Sequence, residues 1–295
     1  MKRLLRVWSG PLILVTLLLS PLVLAQEPLT VEWHRLEFAP TFILAGQARN
    51  QGFGDVMLQA LMSRLPQYRH RLVEAPLERV LDRTSTSPST RLACAVALLL
   101  TPEREQHIHF SNPFLYTSAN GALIRAADYR RFEPFLYEGR LSLGEVLQTR
   151  AFTLGIARQR SYSPTLNALL AQHAGQPYLI EKGGQGSTPS LLSALSAQQA
   201  VDLVLAYPLE AAYWLQTRRS SVALHFLPLT EAAAREEWRV GCSRTPQGEQ
   251  LIAAINALVA DPAFRQSYLS SHAQWQVQLS GVLRGAPTPS ESPQP

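Results

Sequence analysis

The run Leu92-Ala-Cys-Ala-Val-Ala-Leu-Leu-Leu100 is apolar at every position. A half-exposed strand alternates apolar and polar residues, whereas a continuous apolar strand must be covered on both faces, as inside a mainly parallel sheet flanked by helices. The residues around it supply such helices. Asp55 to Leu65 carries Val56, Leu58, Leu61, Met62 and Leu65 at helical spacing, with Asp55 placed to cap. Short strands at Val31–Trp33 and Arg71–Glu74 and a helix at Leu77–Arg83 alternate with it. The same grammar repeats downstream without a tandem repeat: strands at Gly121–Arg125, Phe152–Ile156, Tyr178–Ile180, Val201–Ala206 and Val222–Leu227, with helices at Pro164–His173, Ser190–Leu195 and Leu209–Gln216. A strand at Arg239–Ser243 and helices at Glu249–Val259 and Phe264–Leu269 follow. This alternation reads as α/β.

Lys2, Arg3 and Arg6 precede an apolar run from Pro11 to Leu24 that is broken by Ser20 and Pro21 and ends in Val23-Leu24-Ala25. The run is too short and interrupted for a membrane span and has small residues at the cleavage positions, so residues 1–25 read as a Sec signal peptide and the protein as periplasmic. The three leader cations leave 24 of the 27 basic residues against 22 acidic ones. They are scattered, almost all Arg, and make no basic stripe with interleaved aromatics, which argues against nucleic acid as a partner. Cys94 and Cys242 are the only cysteines. Parity and an oxidising compartment favour a disulfide over two separately buried thiols.

After the apolar strand comes Thr101-Pro-Glu-Arg-Glu-Gln-His-Ile-His-Phe-Ser-Asn-Pro-Phe114. Thr101, Arg104, Phe110, Ser111, Pro113 and Phe114 fall in register on the pattern Thr-x-x-Arg, then Phe-Ser-x-Pro-aromatic, of bacterial periplasmic solute-binding proteins of family 3. The chain also resembles that family at Phe38-Ala-Pro-Thr-Phe42, Gly52-Phe-Gly-Asp55, Ala75-Pro-Leu-Glu-Arg79 and Val201-Asp-Leu-Val-Leu205, in the same order. Cys94 and Cys242-Ser-Arg-Thr-Pro246 fit an uncharacterised proteobacterial branch. The resemblance implies a type II two-lobe fold, each lobe a mainly parallel sheet flanked by helices, joined by two crossovers. Lobe one is then 28–122 plus 237–282, lobe two 123–236, and the Pro- and Ser-rich 284–295 a disordered tail. Both cysteines fall in lobe one, on strands that could be neighbours.

The resemblance also implies that Arg104 holds a ligand carboxylate, a task suited to the planar guanidinium fork. Thr101, Tyr116, Tyr207, Trp33, Phe42 and Ser161 join it as ligand-binding candidates, because they end strands or follow them, where open α/β sheets place ligands. The expected cleft has Arg104 and Tyr116 on one wall and Tyr207 with Ser161, Tyr162 and Ser163 on the other. The sequence departs from the amino-acid binders in having Tyr207-Pro208 where an acidic residue takes the ligand's ammonium, with Glu210 one turn on as a substitute. A phenol carries no charge near neutral pH, which favours an anionic or aromatic solute. Arg79 reads as a second anion contact or as a surface helix residue.

The chain has no Gly-x-Ser-x-Gly, His-Glu-x-x-His or phosphate-loop motif, and Gly183-Gly-Gln-Gly-Ser187 lacks the lysine of the last and reads as a flexible linker. His107 and His109 share a strand face without a third ligand at metal spacing, so no metal or other cofactor is expected. The expected function is non-enzymatic: a monomer closes on a small anionic or carboxylate-bearing solute for an inner-membrane permease, or reports it to a sensor partner, with a secreted hydrolase as the remaining alternative.

Overall fold

The computed structural model describes residues 28–86, 91–218 and 220–287. The expected leader and residues 288–295 of the expected tail lie outside the described residues. The first half runs β1 (Thr30–Arg35), α1 (Phe53–Arg64), β2 (Arg69–Glu74), α2 (Leu77–Thr86), β3 (Arg91–Leu98), α3 (Pro102–Glu105), β4 (Ile108–Phe110) and β5 (Leu115–Ser118). The next part runs β6 (Gly121–Arg125), α4 (Tyr129–Phe132), β7 (Leu136–Tyr137), β8 (Arg140–Leu141), α5 (Leu143–Thr149), β9 (Leu154–Ala157), α6 (Pro164–Gln172) and β10 (Leu179–Lys182). It continues with α7 (Ser187–Ser196), β11 (Leu203–Ala206), α8 (Pro208–Arg218) and β12 (Leu224–Leu227). The chain ends in β13 (Arg235–Ser243), α9 (Pro246–Ala260) and α10 (Pro262–Gln278).

Two large sheets form two lobes. The first has the order β2-β1-β3-β13-β4, with β5 also on β13; the second is β10-β9-β11-β6-β12. Each is mixed rather than mainly parallel as expected. Strand β1 runs parallel to β2 and β3, and β9 to β10 and β11. But β13 runs against β3, β4 and β5, and β6 against β11 and β12, because the returning strands enter from the opposite direction. The apolar run occupies the expected place: β3 lies between β1 and β13 with Leu92 to Val96 buried. Cys94 and Cys242 face each other across β3 and β13, Cα atoms 4.1 Å apart, and form a disulfide inside the first lobe's core.

Strand pairing passes from the first sheet to the second at Ala119–Asn120 and back between Leu227 and Arg235. The chain also crosses a third time. Beyond α10, Leu279 and Leu283 are buried among Leu191, Leu224 and Phe226 of the second lobe, and the Phe226 amide donates to the Arg284 carbonyl at 2.8 Å. This strap begins in residues 279–282, expected in lobe one, and reaches into the start of the expected disordered tail at Arg284. The two aliphatic side chains, on the turn that follows α10, dock it by burying apolar surface.

Helix α10 is longer than its sequence pattern suggests, because its buried stripe of Phe264, Tyr268 and His272 includes polar residue types. His272 packs edge-on against Phe53 at 4.8 Å, and neither ring nitrogen has a partner. Burial pushes its pKa down to about 4. The native state therefore holds a neutral imidazole while the unfolded chain binds a proton below about 6.5, so this contribution is intact above pH 6.5 and falls away as pH drops towards 4. The loss expected is roughly 3 kcal/mol by linkage. Urea titrations at both ends of that window should show a smaller acid loss for His272→Leu than for the wild type; equal losses would refute the assignment.

Candidate functional site

The carboxyl ends of the strands in both sheets meet across a cleft, the usual ligand position in open α/β sheets. From the first lobe come Leu36, Glu37 and Phe38 after β1, Leu99 after β3, and Arg104 on α3. The second lobe offers Arg158, Arg160 and Ser161 after β9, Gly184 to Ser187 between β10 and α7, and Tyr207 and Glu210 at the start of α8. The enclosed space is only about 60 Å³. The lobes already touch: Arg104 Nη2 donates to the Gln159 carbonyl at 3.1 Å, the Glu37 amide to Gln185 Oε1 at 3.2 Å, and the Gly184 amide to Glu78 Oε1 at 3.2 Å. A solute larger than this space is admitted only when these contacts part.

Arg104 is positioned by the Thr101 hydroxyl, which accepts its backbone N–H at 3.3 Å and so starts α3. Its Nη1 donates to the Leu99 carbonyl at 3.0 Å, leaving three of the five guanidinium N–H groups for other acceptors. Burial holds its pKa down to about 10, still fully charged at neutral pH.

Facing it, the Arg160 guanidinium lies 4.9 Å from the ring centres of both Phe38 and Tyr207 and bonds Glu210 twice, at 2.8 and 3.3 Å. Burial acts most strongly and would lower its pKa, but the Glu210 carboxylate, by charge and hydrogen bond, together with Tyr162 and Tyr207, raises it on balance. Behind this stack, the Tyr207 hydroxyl donates to Glu236 and accepts from Trp238 Nε1, while Asn120 Nδ2 also bonds Glu236 at 3.3 Å. Burial, reinforced by the Glu236 charge, raises the Tyr207 pKa, so it stays a phenol. Tyr207 thus shows the cleft its ring, while its hydroxyl is held by Glu236 and Trp238 on the return strand β13.

The glycine-rich loop before α7 is part of the site rather than a linker. Gly186 has φ +67°, and a Cβ there would stand 3.1 Å from a Glu37 carboxylate oxygen, so the loop approaches Glu37 closely only with glycine at this position.

The expected residues divide clearly. Arg104, Tyr207 and Ser161 line one cavity, although the Ser161 hydroxyl accepts from Asn167 and Ser163 caps α6. Thr101 serves as the α3 cap. Tyr116 of β5 pairs with Glu237 of β13 and lines neither the cleft nor the cavity behind it, since the alternation that buries Leu115 and Thr117 turns it to the other face. Trp33 and Phe42 have no exposure and belong to the first lobe's core, where alternate β1 residues meet α1 and Trp33 Nε1 donates to His70. Sequence reasoning missed Arg160, Glu37 and Glu78; only the position of Glu37 just past a strand end pointed to the cleft.

A larger cavity of about 240 Å³ lies behind Phe38 and Tyr207, closed by Leu279 and Leu283 of the strap. Its only charged lining residue is Glu210, so it offers a carboxylate no cationic partner. The smaller, charged cleft is therefore the better candidate.

No protein-family description and no curated protein matches the sequence. Solved structures do. A histidine kinase sensor domain with similarity to periplasmic binding proteins superposes with a TM-score of 0.63 at 14% identity, covering 88% of this chain and 98% of the other. A mutant of ArgBP from T. maritima gives 0.62 at 12% identity over 84% and 95%. The arginine-, lysine-, histidine-binding protein ArtJ from Geobacillus stearothermophilus gives 0.62 at 14% over 84% and 94%. At such identities the likeness speaks for architecture: the chain has the two-lobed fold of the periplasmic solute-binding proteins.

Proposed function

We propose that this protein is an exported receptor whose lobes close on a small amino-acid-type solute. The observation that carries the reading is the cleft itself, where Arg104 from one lobe faces the Phe38–Arg160–Tyr207 stack and both lobes contribute charge. Its lining balances Glu37, Glu78 and Glu210 against Arg104, Arg158 and Arg160. That balance suits a zwitterion better than the bare anion suggested by Tyr207 alone, because Glu37 and Glu78 can meet a cationic group that the phenol cannot. Arg104 takes the solute carboxylate with its remaining donors. Ligand preference for the closed state supplies the energy of closure. The fold neighbours described as arginine-binding support this solute class, and delivery to a membrane permease follows from it. The sensor domain among those neighbours supports a second reading, a receptor that reports to a signalling partner.

Thermal-shift and calorimetric titration with L-arginine, L-histidine, neutral amino acids and dicarboxylic acids tests the proposal. An amino acid should raise the melting temperature by mass action. Arg104→Ala should weaken that binding by about 2–5 kcal/mol, the cost of leaving a buried anion unpaired. Saturation by dicarboxylates alone would restore the anionic reading, and unchanged affinity in Arg104→Ala would remove Arg104 from the site.

A further inference from the structure

On the opposite face of β1 from the Trp33 core, the first sheet is incompletely covered. Residues Glu32 and His34 of β1, Arg71 and Val73 of β2, and Arg91 of β3 share this face by register. Helix α2 covers only the neighbouring strip, where Val80 packs with Ala95 and Leu98. Beside it is an open hollow of about 500 Å³, rimmed by Arg71, Arg79, Arg83 and Arg91.

The two carboxylates in this hollow are already engaged. Glu32 holds Arg71 at 3.3 Å and Arg91 at 3.4 Å, and Glu74 holds Arg35 at 3.0 Å and Arg49 at 3.1 Å. The Arg79 and Arg83 side chains, both exposed on α2, have no hydrogen bond or ion pair among the described residues. At the floor lies His34, 2% exposed, with neither ring nitrogen hydrogen-bonded and the nearest carboxylate, Glu32, 3.8 Å away. A buried imidazole with both nitrogens unsatisfied is costly, and its position beneath converging guanidinium groups gives the missing partner a sign.

The geometry points to a second binding site, separate from the cleft, for a compact multivalent oxyanion of the phosphate class. Arg79 and Arg83 grip it from α2, Arg71 and Arg91 contribute from the sheet edge, and the His34 ring N–H donates from below. Multivalency follows from exposure. A single exposed ion pair contributes at most about 1 kcal/mol, so a monoanion gains little here, whereas a tetrahedral dianion offers acceptors to several guanidinium forks together. Burial, opposed by Glu32 and reinforced by Arg83 and Arg71, lowers the His34 pKa, and a bound dianion would reverse that balance.

The test is calorimetric titration of the full chain with inorganic phosphate and, separately, with glycerol 3-phosphate, against sodium chloride at matched ionic strength. Saturable binding is expected, weakened at least about tenfold in Arg79→Gln/Arg83→Gln, the loss of charge-assisted hydrogen bonds. Both side chains are exposed, so folding is spared. Binding of the ester alone would support the site and identify a phosphate carried on a larger molecule as its source. An independent readout is the His34 ring proton resonance, whose titration should move to higher pH with phosphate. Absence of saturable binding, an equal response to chloride, or undiminished binding in the double variant would overturn the proposal.

Discussion

Cys94→Ala/Cys242→Ala is expected to unfold at markedly lower urea than the wild type, with a stability loss of roughly 2–5 kcal/mol. The cysteines are 148 residues apart and each is fully buried, so the bridge closes a loop that contains every strand of the second lobe's sheet. On the chain-entropy account a loop of that length lies near the upper end of the range, at about 5 kcal/mol. Alanine also leaves a small space between β3 and β13 in a densely packed core, which adds to the cost. Equilibrium unfolding of wild type and variant, each with and without reductant, separates the terms. Reductant should bring the wild type close to the variant and leave the variant unmoved. A wild type indifferent to reductant would show that the bridge adds nothing to stability.

The second large effect is expected at the cleft. Glu210→Gln removes the charge opposite Arg160, whose guanidinium side chain is 11% exposed and otherwise held by Thr188 at 2.9 Å and three aromatic faces. Breaking one side of a buried pair costs about 3–5 kcal/mol because the remaining charge is left uncompensated, while removing both sides can be close to neutral. The expected pattern in urea is therefore a large loss for Glu210→Gln and a much smaller one for Arg160→Met/Glu210→Leu. Additive losses would mean that the two groups contribute separately and that the pair does not organise the cleft.

Local signals in the sequence were read well wherever one segment carries the whole cause. The unbroken apolar character of Leu92 to Leu100 marked a central strand, although the strand stops at Leu98, where the chain turns outward to Leu99, Leu100 and the Thr101 cap. The Thr-x-x-Arg register put Arg104 at the cleft. What escaped depends on contacts between distant segments. The Tyr207 hydroxyl is taken by Glu236, which arrives on the return strand 29 residues later. The pair Arg160–Glu210 spans 50 residues. Gly183 to Ser187 reads as a linker until Glu37 and Glu78 are brought against it from the other lobe. Trp33 and Phe42 were misplaced for the converse reason: an aromatic near a strand end can face either the helices or the cleft, and composition alone does not say which.

The third crossing changes the order in which the molecule can be completed. Residues 121–227 form a contiguous sheet nested inside a discontinuous one, since β13 inserts between β3 and β4 only after the nested part has been made. Until then the apolar β3 has one unpaired edge, the kind of edge that invites pairing with other chains. Such long-range pairing is intrinsically slow and leaves partly folded chains open to aggregation. The strap sharpens the dependence, because Leu279 and Leu283 come after β13, α9 and α10 yet complete the core of the nested lobe. Each lobe thus awaits the far end of the chain, and a product truncated before Leu279 leaves the nested lobe with an open apolar face.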